Sequence, residues 1–380
     1  MIEKFRELYG SAESGRVFRA PGRVNLIGEH TDYNLGFVMP VALDLATYVA
    51  AAPSDDGKLR IFSEHRQEMR EFNSSRIGAE MPAHQWTDYP VGVAQELIRE
   101  GYFVGAANLL IRSTVPEGSG LSSSAALEVS SALAFLNGRE IDPLLLARVC
   151  QRAERNFVGM PCGIMDQYIS VFGRENTAVE IDCRSLDHRN VELPAGITFL
   201  AVNTMVKHAL AGSAYRDRVR ECAAAVEAIQ QQFPDVASLR DVTVERFELA
   251  GYLLPDVVRR RARHVVTEDD RVERFVEASE RGDLARMGKL LVESHRSLQH
   301  DYEVSCAELD FLVDTALGIE GVLGSRMTGG GFGGCTVTML RPEAADGFRQ
   351  AITAAYEREF GVTPSIYSCK PSAGAGEVKA

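Results

Sequence analysis

Four side chains suited to binding a hydroxyl-rich ligand lie within ten residues near the N-terminus. The segment 22–40 reads GRVNLIGEHTDYNLGFVMP and carries Arg23, Glu29, His30 and Asp32 between apolar runs. Each of them would cost about 1–3 kcal/mol if buried without a partner, so they do not suit the interior of a strand. The segment predicts a short loop between two strands. Such a loop directs several donors and acceptors at one point, as recognition of a sugar requires; a solvated surface turn is the simpler alternative.

A phosphate-binding pattern lies further along the chain. The sequence EGSG (117–120) follows a predicted strand and is followed by Leu121, Ser122, Ser123 and Ser124 at the start of a predicted helix. Backbone N–H groups of such a loop and the positive end of the helix both favour an anion. One serine hydroxyl could reach Mg²⁺, whereas a well-capped helix is the alternative. Because no GxxxxGK[ST] motif supplies a lysine, magnesium and arginines from elsewhere, such as Arg23, must offset the phosphate charge.

One carboxylate stands where a catalytic base could lie. Asp166 follows the Gly- and Pro-rich break 159–163 (GMPCG) and precedes an apolar run. The position predicts the start of a helix and a partly enclosed side chain. Such a group either caps the helix or takes the proton of a hydroxyl nucleophile.

A formal GxGxxG match at 329–334 is rejected as a dinucleotide site. That fingerprint requires a helix after the loop, but here the strand-like CTVTML follows. A NAD-dependent oxidoreductase, the alternative that rests on this match, is therefore disfavoured. Protein-kinase motifs are also missing from the sequence.

The hydrophobic pattern predicts an alternation of strands and helices. Strands are expected at 16–20, 42–52, 58–63, 107–115, 178–183, 197–202, 335–340 and 365–370. Helices are expected at 1–10, 86–100, 121–136, 142–158, 164–172, 210–233 and 343–360, with 234–320 mostly helical. The stretch 185–192 is expected to be a polar link, and two domains are expected at 1–195 and 196–380.

Composition excludes several classes of protein. With 380 residues, 45% of them hydrophobic and 25% charged, the chain has a globular composition and a length that suits two domains. A net charge of −12 argues against a nucleic-acid partner. No run of eighteen apolar residues and no signal-peptide pattern occurs, so no membrane association is expected. Seven scattered cysteines without a CxxC pair suit a reducing cytoplasm.

Taken together, three motifs resemble the GHMP small-molecule kinases, and among them the members that phosphorylate galactose. They are GRVNLIGEHTDYNLGFVMP (22–40), VPEGSGLSSSAALE (115–128) and GSRMTGGGFGGCTV (324–337). The links AERNFVGMPCGIMDQYIS (153–170) and YSCKPSAGAG (367–376) extend the resemblance over nearly the whole chain. It implies an α+β fold with an N-terminal domain like the second domain of ribosomal protein S5. The C-terminal domain would be a ferredoxin-like α+β domain, and the active site would lie in the cleft between the two.

The resemblance also implies a reaction and a set of site residues. ATP would phosphorylate the C1 hydroxyl of D-galactose, the first committed step of galactose breakdown by the Leloir pathway. The implied catalytic residues are Asp166 and Arg23, and the implied magnesium ligands are Ser124 and Glu154. The sugar contacts would be Glu29, His30, Thr31, Asp32 and Tyr215. The ATP contacts would be Ser63, Trp86, Gly118, Ser119, Gly120, Leu121, Ser122, Ser123 and Ser124.

Two alternatives to this reaction stay open. One is a kinase for a related sugar such as N-acetylgalactosamine or L-arabinose, and the other is a galactose- and ATP-binding sensor without catalysis. The expected partners are galactose and ATP, with neither nucleic acid nor membrane. A monomer is expected, with a dimer as the alternative.

Overall fold

The computed structural model describes residues 1–10, 15–207 and 211–378. The strands are β1 Arg16–Asn25, β2 Phe37–Val38, β3 Pro40–Pro53, β4 Lys58–Ser63, β5 Glu68–Asn73, β6 Ala107–Ser113, β7 Thr177–Asp182, β8 His188–Glu192, β9 Thr198–Lys207, β10 Val322–Thr328, β11 Gly333–Leu340, β12 Ser365–Ser368 and β13 Gly376–Glu377. The helices are α1 Ile2–Tyr9, α2 Asp88–Arg99, α3 Ser123–Leu136, α4 Pro143–Arg152, α5 Met165–Phe172, α6 Ala211–Gln230, α7 Val244–Ala250, α8 Asp256–Glu280, α9 Leu284–Ser297, α10 Ala307–Leu317 and α11 Ala345–Phe360.

The first sheet carries most of the N-terminal half. Its strand order is β13-β1-β3-β6-β4-β5, and all neighbours are antiparallel except β4 and β6. The central strand β3 is buried over most of its length, as expected for a strand covered on both faces. The edge strand β5 instead alternates between partly buried and exposed residues. Residues from α2, α3 and α4 form a core with this sheet, while Phe5 of α1 packs with Phe62 and Leu110 in a separate cluster.

The C-terminal half contains a second sheet of order β10-β11-β9-β12. Successive residues of β9 point to opposite faces, so Leu200 packs with Phe348 of α11 while Ala201 belongs to another core. That other core also contains Leu26, which directly follows β1, and Met287 of α9. The two halves therefore share one continuous hydrophobic core.

Most predicted elements are present, and the differences have local causes. The polar link predicted at 185–192 contains β8, which pairs with β7; only Val191 of this strand is buried, so no alternation was visible in the sequence. The strands β5 and β10 were not predicted either. The predicted helix 142–158 changes to a π-helical turn at Ala153–Val158, and the first residue of predicted helix 210–233 lies outside the described residues.

The chain crosses between the two halves near the predicted boundary. Residues 193–197 link β8 to β9, and near the C-terminus β13 returns to pair with β1 of the first sheet. Within the described residues, no helix is long and apolar enough to span a membrane.

Candidate active site

A cavity of about 710 Å³ lies between the two halves and collects most of the predicted site residues. Its lining includes the predicted phosphate loop (117–120) and the glycine hairpin, which is the turn 329–332 between β10 and β11. The 29–32 loop and residues of the first sheet complete the lining. The predicted residues on its wall are Arg23, Glu29, His30, Asp32, Ser63, Trp86, Gly118, Gly120, Ser122, Ser123, Ser124, Glu154, Asp166 and Tyr215. Thr31, Ser119 and Leu121 are not among the lining residues.

An ion pair between Arg23 and Asp166 stands at the centre of this wall. Arg23 lies near the end of β1 and Asp166 in the first turn of α5, so the predicted helix start is confirmed. The Nε and Nη2 groups of Arg23 donate to the two carboxylate oxygens of Asp166, each at 2.8 Å. The Ser122 hydroxyl donates to the same carboxylate. Since the Asp166 side chain keeps 25% of its exposure, it is held firmly and still faces the cavity.

Glu29 is bound tightly to protein groups from both halves of the chain. Its Oε1 accepts hydrogen bonds from the Gly329 backbone N–H and, at 3.2 Å, from the Thr328 hydroxyl, while Asn25 donates to Oε2. The residue is only 1% exposed. Glu29 therefore joins the 29–32 loop to the glycine hairpin of the C-terminal half.

His30 presents a ring nitrogen near the cavity. Its Nδ1 lies 2.9 Å from the Tyr33 hydroxyl, and its buried Nε2 has no partner with good hydrogen-bond geometry among the described residues, although the Gly330 backbone interacts with the ring. Burial lowers the pKa of His30 well below its usual value, helped by the charges of His264, Arg218 and Arg326 and opposed by the Gly330 carbonyl. The ring is therefore neutral at pH 7. The Tyr215 ring, on α6, lies 5.6 Å from the His30 ring.

Asp32 lies against the backbone of the loop that precedes α5. A Cβ atom at Gly163 would be only 1.9 Å from Asp32 Oδ2, so glycine is required there for close approach. Burial, and next the negative charge of Asp166, raise the pKa of Asp32 to about 7. Tyr33 opposes this shift through its backbone N–H.

Thr31 differs from its neighbours in the direction of its side chain. Its hydroxyl lies 2.9 Å from the Gly28 carbonyl and 2.6 Å from the Phe37 carbonyl, and the residue is fully buried. It therefore closes the loop internally instead of facing the cavity. Sequence could not show this, because the direction of a hydroxyl depends on the path of the chain around it.

The predicted phosphate loop connects β6 to α3, and the glycine hairpin packs against it. Gly118 and Gly120 have positive φ angles of 69° and 80°. A Cβ at Gly329 would lie 3.0 Å from the Gly120 carbonyl oxygen, so the two loops touch backbone to backbone. Strands β10 and β11 flank the hairpin, which confirms that its GxGxxG pattern is not a strand–loop–helix dinucleotide motif.

Two of the predicted loop residues support the loop from inside. The Ser119 hydroxyl donates to the Pro116 carbonyl at 2.8 Å and accepts from the Leu121 N–H at 3.3 Å. The Leu121 side chain belongs to the shared core. At the other end of the cavity, Ser63 is buried, and the Trp86 indole N–H donates to Glu68 at 3.0 Å just before α2 begins.

A buried pair of carboxylates lies behind the serines of the phosphate loop. Gln167 Nε2 donates to Glu154 at 2.7 Å and to Glu128 at 2.9 Å. Burial, and then the charge of Asp166, raise the pKa of Glu154 to about 7; hydrogen bonds from side chains that include Ser124 act in the opposite direction. Burial raises the pKa of Glu128 well above its usual value. Sequence reasoning missed Glu128, although it stands four residues after Ser124 on one helix face.

The long helix α8 holds the 29–32 loop from the C-terminal half. Glu268 accepts from the Gly28 N–H at 3.0 Å, and His264 Nε2 lies 3.0 Å from the Glu29 carbonyl oxygen. Asp269 accepts from the Phe37 N–H at 2.8 Å. These residues were also missed, since a charged helix face in the sequence resembles any solvated helix.

Comparison with known proteins identifies the class of this molecule. Residues 88–174 match the family described as GHMP kinases N terminal domain, and residues 275–358 match GHMP kinases C terminal. The fold, the phosphate-loop geometry and these matches define a two-domain α+β kinase of the GHMP class, as the sequence predicted.

Residues 3–53 match the galactokinase galactose-binding signature. The chain is 46% identical over 378 residues to a galactokinase of a Roseiflexus species, covering 99% of this chain and 96% of that protein. It is also 46% identical to a galactokinase of Chloroflexus aggregans, over 97% of this chain and 95% of that protein. A galactokinase from Lactococcus lactis, solved in complex with galactose, superposes with a TM-score of 0.95 and 35% identity over 99% of this chain and 98% of that one. The chain belongs to the galactokinase family.

Proposed function

We propose that this chain transfers the γ-phosphoryl group of ATP to the C1 hydroxyl of D-galactose, giving galactose 1-phosphate and ADP, the first committed step of galactose breakdown. Phosphorylation of galactose with ATP is the reaction of the family to which the chain belongs. The position of transfer, the residue roles and the metal are the additional proposal. The observation that carries it is the Arg23–Asp166 pair, which faces the cavity together with the 29–32 loop and the phosphate loop.

Asp166 is proposed to accept or orient the proton of the attacking hydroxyl. A fixed carboxylate within hydrogen-bond reach of that hydroxyl favours its attack on the γ-phosphorus. Arg23 holds the carboxylate through two parallel hydrogen bonds and supplies positive charge near the transferring group. Ser122, which the sequence assigned to ATP, also contacts Asp166 and so links the phosphate loop to the base.

The sugar is proposed to bind between the 29–32 loop and α6. His30, Asp32 and Tyr215 offer polar groups at the cavity wall, and Glu29 lines the same wall while it anchors the loop. A polar pocket of this kind rejects an analogue that lacks a hydroxyl, because protein groups are then left unpaired. Thr31 is proposed to support the loop from within and not to contact the sugar.

ATP is proposed to bind along the phosphate loop, with its base toward Ser63 and Trp86. The backbone N–H groups of Gly118 and Gly120, which line the cavity, and the N-terminus of α3 would face the phosphates. The serines at the start of α3, of which Ser123 and Ser124 line the cavity, offer hydroxyls at the same end. The partly buried indole of Trp86 would border the base.

Ser124 and Glu154 are proposed to hold Mg²⁺ together with the phosphates. In the described part of the chain, no group of three or more His, Cys, Asp and Glu side chains could hold a metal ion. One carboxylate and one hydroxyl nevertheless fit Mg²⁺, which keeps several waters and is usually completed by substrate phosphates. Bound Mg²⁺ would offset charge on the phosphates.

Three further expectations remain proposals. The domain division at residues 195 and 196 is supported by the link between β8 and β9. A cytoplasmic location is supported by seven free cysteines, which suit a reducing compartment. A monomer is proposed as the working form.

The proposal is tested by Asp166→Asn and a panel of sugars. We expect kcat to fall by roughly 10²–10⁴-fold, because the proton acceptor is lost, while galactose still raises the melting temperature. ADP release with Mg-ATP is measured for galactose, 2-deoxygalactose, N-acetylgalactosamine and L-arabinose. The matched control is Asp44→Asn, an exposed aspartate on β3, which should keep the parent rate.

Each other outcome has a defined meaning. Near-parent turnover by Asp166→Asn would contradict the base assignment. Turnover of N-acetylgalactosamine or arabinose in preference to galactose would make the chain a related sugar kinase. Thermal stabilisation by galactose without turnover of any sugar would indicate a sensor.

A further inference from the structure

Behind the 29–32 loop, four side chains form a continuous row of polar contacts that begins in the protein core and ends at His30. Cys222 Sγ of α6 lies 3.2 Å from the Tyr302 hydroxyl. The Tyr302 hydroxyl lies 2.6 Å from the Tyr33 hydroxyl, which lies 2.9 Å from His30 Nδ1. Cys222 and Tyr302 are buried, at 2% and 0% exposure, so water does not replace these contacts.

All four groups are neutral at physiological pH. Burial raises the pKa of Cys222 to about 11 and raises those of Tyr33 and Tyr302 well above the usual value for tyrosine. Burial likewise lowers the pKa of His30 well below neutrality. The row therefore contains one S–H, two O–H groups and one imidazole N–H.

The four groups carry four protons, but the three contacts between them use only three. The fourth proton therefore lies at one end of the row, outside these contacts. If it is left at the imidazole end, His30 carries a proton on Nε2 and each group donates toward Nδ1. If it is left at the sulfur end, His30 carries its proton on Nδ1, and every hydrogen bond points the other way. Which end holds the extra proton depends on what surrounds the sulfur.

The neighbours of Cys222 decide the direction. Asn34 Nδ2 donates to the His30 carbonyl oxygen at 2.8 Å, and a carbonyl can only accept, so this atom is the amide nitrogen. The same nitrogen lies 3.6 Å from Cys222 Sγ and offers it a second donor. Among the described residues, the hydrogen-bond acceptor within reach of the thiol is the Tyr302 hydroxyl. In the opposite direction, a phenol O–H would donate to sulfur, which is a weak acceptor, and no phenol O–H would donate to the imidazole nitrogen.

We propose that Cys222, Tyr302 and Tyr33 are positioning residues that fix His30 as the Nε2–H tautomer, so that His30 offers a hydrogen-bond donor to an oxygen of the sugar. The inference rests on the proposed function, in which His30 contacts galactose. It agrees with the position of Nε2, which is buried and has no partner with good hydrogen-bond geometry among the described residues, while the Gly330 backbone also interacts with the ring. The sugar pocket would then combine one neutral donor with the carboxylate acceptors of the same loop.

The direct test is ¹⁵N NMR of the ligand-free protein with labelled histidine. Long-range correlations between the ring nitrogens and carbon-bound protons distinguish the two neutral tautomers. The chain has eight histidines, so the His30 signals are assigned by their loss in His30→Gln. The proposal expects the Nε2–H form; the Nδ1–H form would overturn it.

Variants along the row separate positioning from general stability. Tyr33→Phe removes the donor to Nδ1 and should give a mixture of tautomers. Its KM for galactose should rise by roughly three- to tenfold, with little change in the KM for ATP. The matched control is Tyr356→Phe, which removes another buried hydroxyl, bonded to the Thr204 carbonyl at 2.8 Å, and should leave the His30 signals and both KM values unchanged.

Substitutions of Cys222 test the sulfur end of the row with smaller changes in side-chain chemistry. Cys222→Ala removes the S–H donor and should also mix the tautomers, whereas Cys222→Ser keeps a donor there and should restore the Nε2–H form. If neither Tyr33→Phe nor Cys222→Ala changes the tautomer, the row does not position His30. Because NMR of the ligand-free protein requires no turnover, an inactive protein with the expected tautomer would reject the proposed function, while the assignment of the tautomer to this row of contacts would still hold.

Discussion

At the scale of single residues, the candidate site is built from side chains that have several partners before any ligand arrives. Arg23 donates to both oxygens of Asp166 and also to the Gly120 carbonyl. Gln167, the next residue along, holds two carboxylates with one amide group. A reacting group that is already oriented does not need to be ordered during the reaction, which lowers the barrier.

Glu154→Gln tests the proposed magnesium ligand at this scale. Because a neutral amide binds Mg²⁺ more weakly than a carboxylate, the Mg²⁺ concentration for half-maximal rate should rise at least about tenfold. The KM for galactose should stay near the parent value. Calorimetry of ATP binding with and without Mg²⁺ gives a second measurement that does not depend on turnover.

Glu175→Gln serves as the control for that variant, since Glu175 is exposed after α5 and away from the cavity wall. An unchanged Mg²⁺ requirement in Glu154→Gln would assign the metal to other residues.

At the scale of elements, α8 supports the 29–32 loop from the opposite half of the chain. Glu268 is fully buried and accepts from two backbone N–H groups of the loop and from the Ser294 hydroxyl. Its pKa is held below the usual range; burial acts in the opposite direction, but the charges of Arg271, His264 and Arg326 outweigh it. The loop conformation, including His30 at a φ of 64°, is thus held by a helix more than two hundred residues away.

Asp269→Asn tests the contact between α8 and the Phe37 backbone through the pH dependence of protein stability. Burial raises the pKa of Asp269 to about 7 from 3.8, so the folded state prefers the protonated form. Its contribution to stability is complete below about pH 4 and is lost as the pH rises to about 7. Asparagine keeps an oxygen for the Phe37 N–H but cannot ionise. The stability of the variant relative to the parent should therefore increase between pH 4 and 7, by an amount on the order of a few kcal/mol.

Urea denaturation at several pH values measures that difference. Asp270→Asn is the control, because this neighbouring aspartate pairs with Arg274 at a partly exposed site and should show no such rise. A constant difference between Asp269→Asn and the parent across this pH range would show that the carboxylate is already ionised at low pH.

At the scale of the whole molecule, the shared core joins the two halves into one structure. Leu26 and Ile27 of the first half pack in one cluster with Met287 and Leu290 of α9. The C-terminal strand β13 adds a second connection through its pairing with β1. A single cooperative unfolding transition is expected for such an arrangement.

Met287→Ala tests this coupling. Loss of this fully buried side chain should cost about 2–5 kcal/mol. The only tryptophan, Trp86, belongs to the first half, so its fluorescence reports on that half while far-UV circular dichroism reports on the whole chain. Both transitions should shift downward together.

Met81→Ala, at a methionine that is 79% exposed, should leave the transitions in place. A tryptophan transition that stays unchanged in Met287→Ala would mean that the halves unfold independently.

The sequence by itself determined the features that depend on neighbouring residues. The turn at 28–34, the phosphate loop before α3 and the helix that begins beside Asp166 follow from glycines, serines and apolar periodicity over a few positions. Their joint occurrence also indicated the GHMP class and the galactose-phosphorylating members within it. Local backbone preferences and capping act over such short distances, so a sequence can express them directly.

Only the tertiary structure decided which of these groups meet and which way they face. Arg23 and Asp166 are separated by 143 positions, and Glu29 and Gly329 by 300. The Thr31 side chain points inward, whereas His30 and Asp32 line the cavity. Polar residues of α8 hold the backbone at the start of the 29–32 loop. Such pairings depend on the packing of the shared core, which brings distant segments together and leaves no periodic signal in the sequence around either partner.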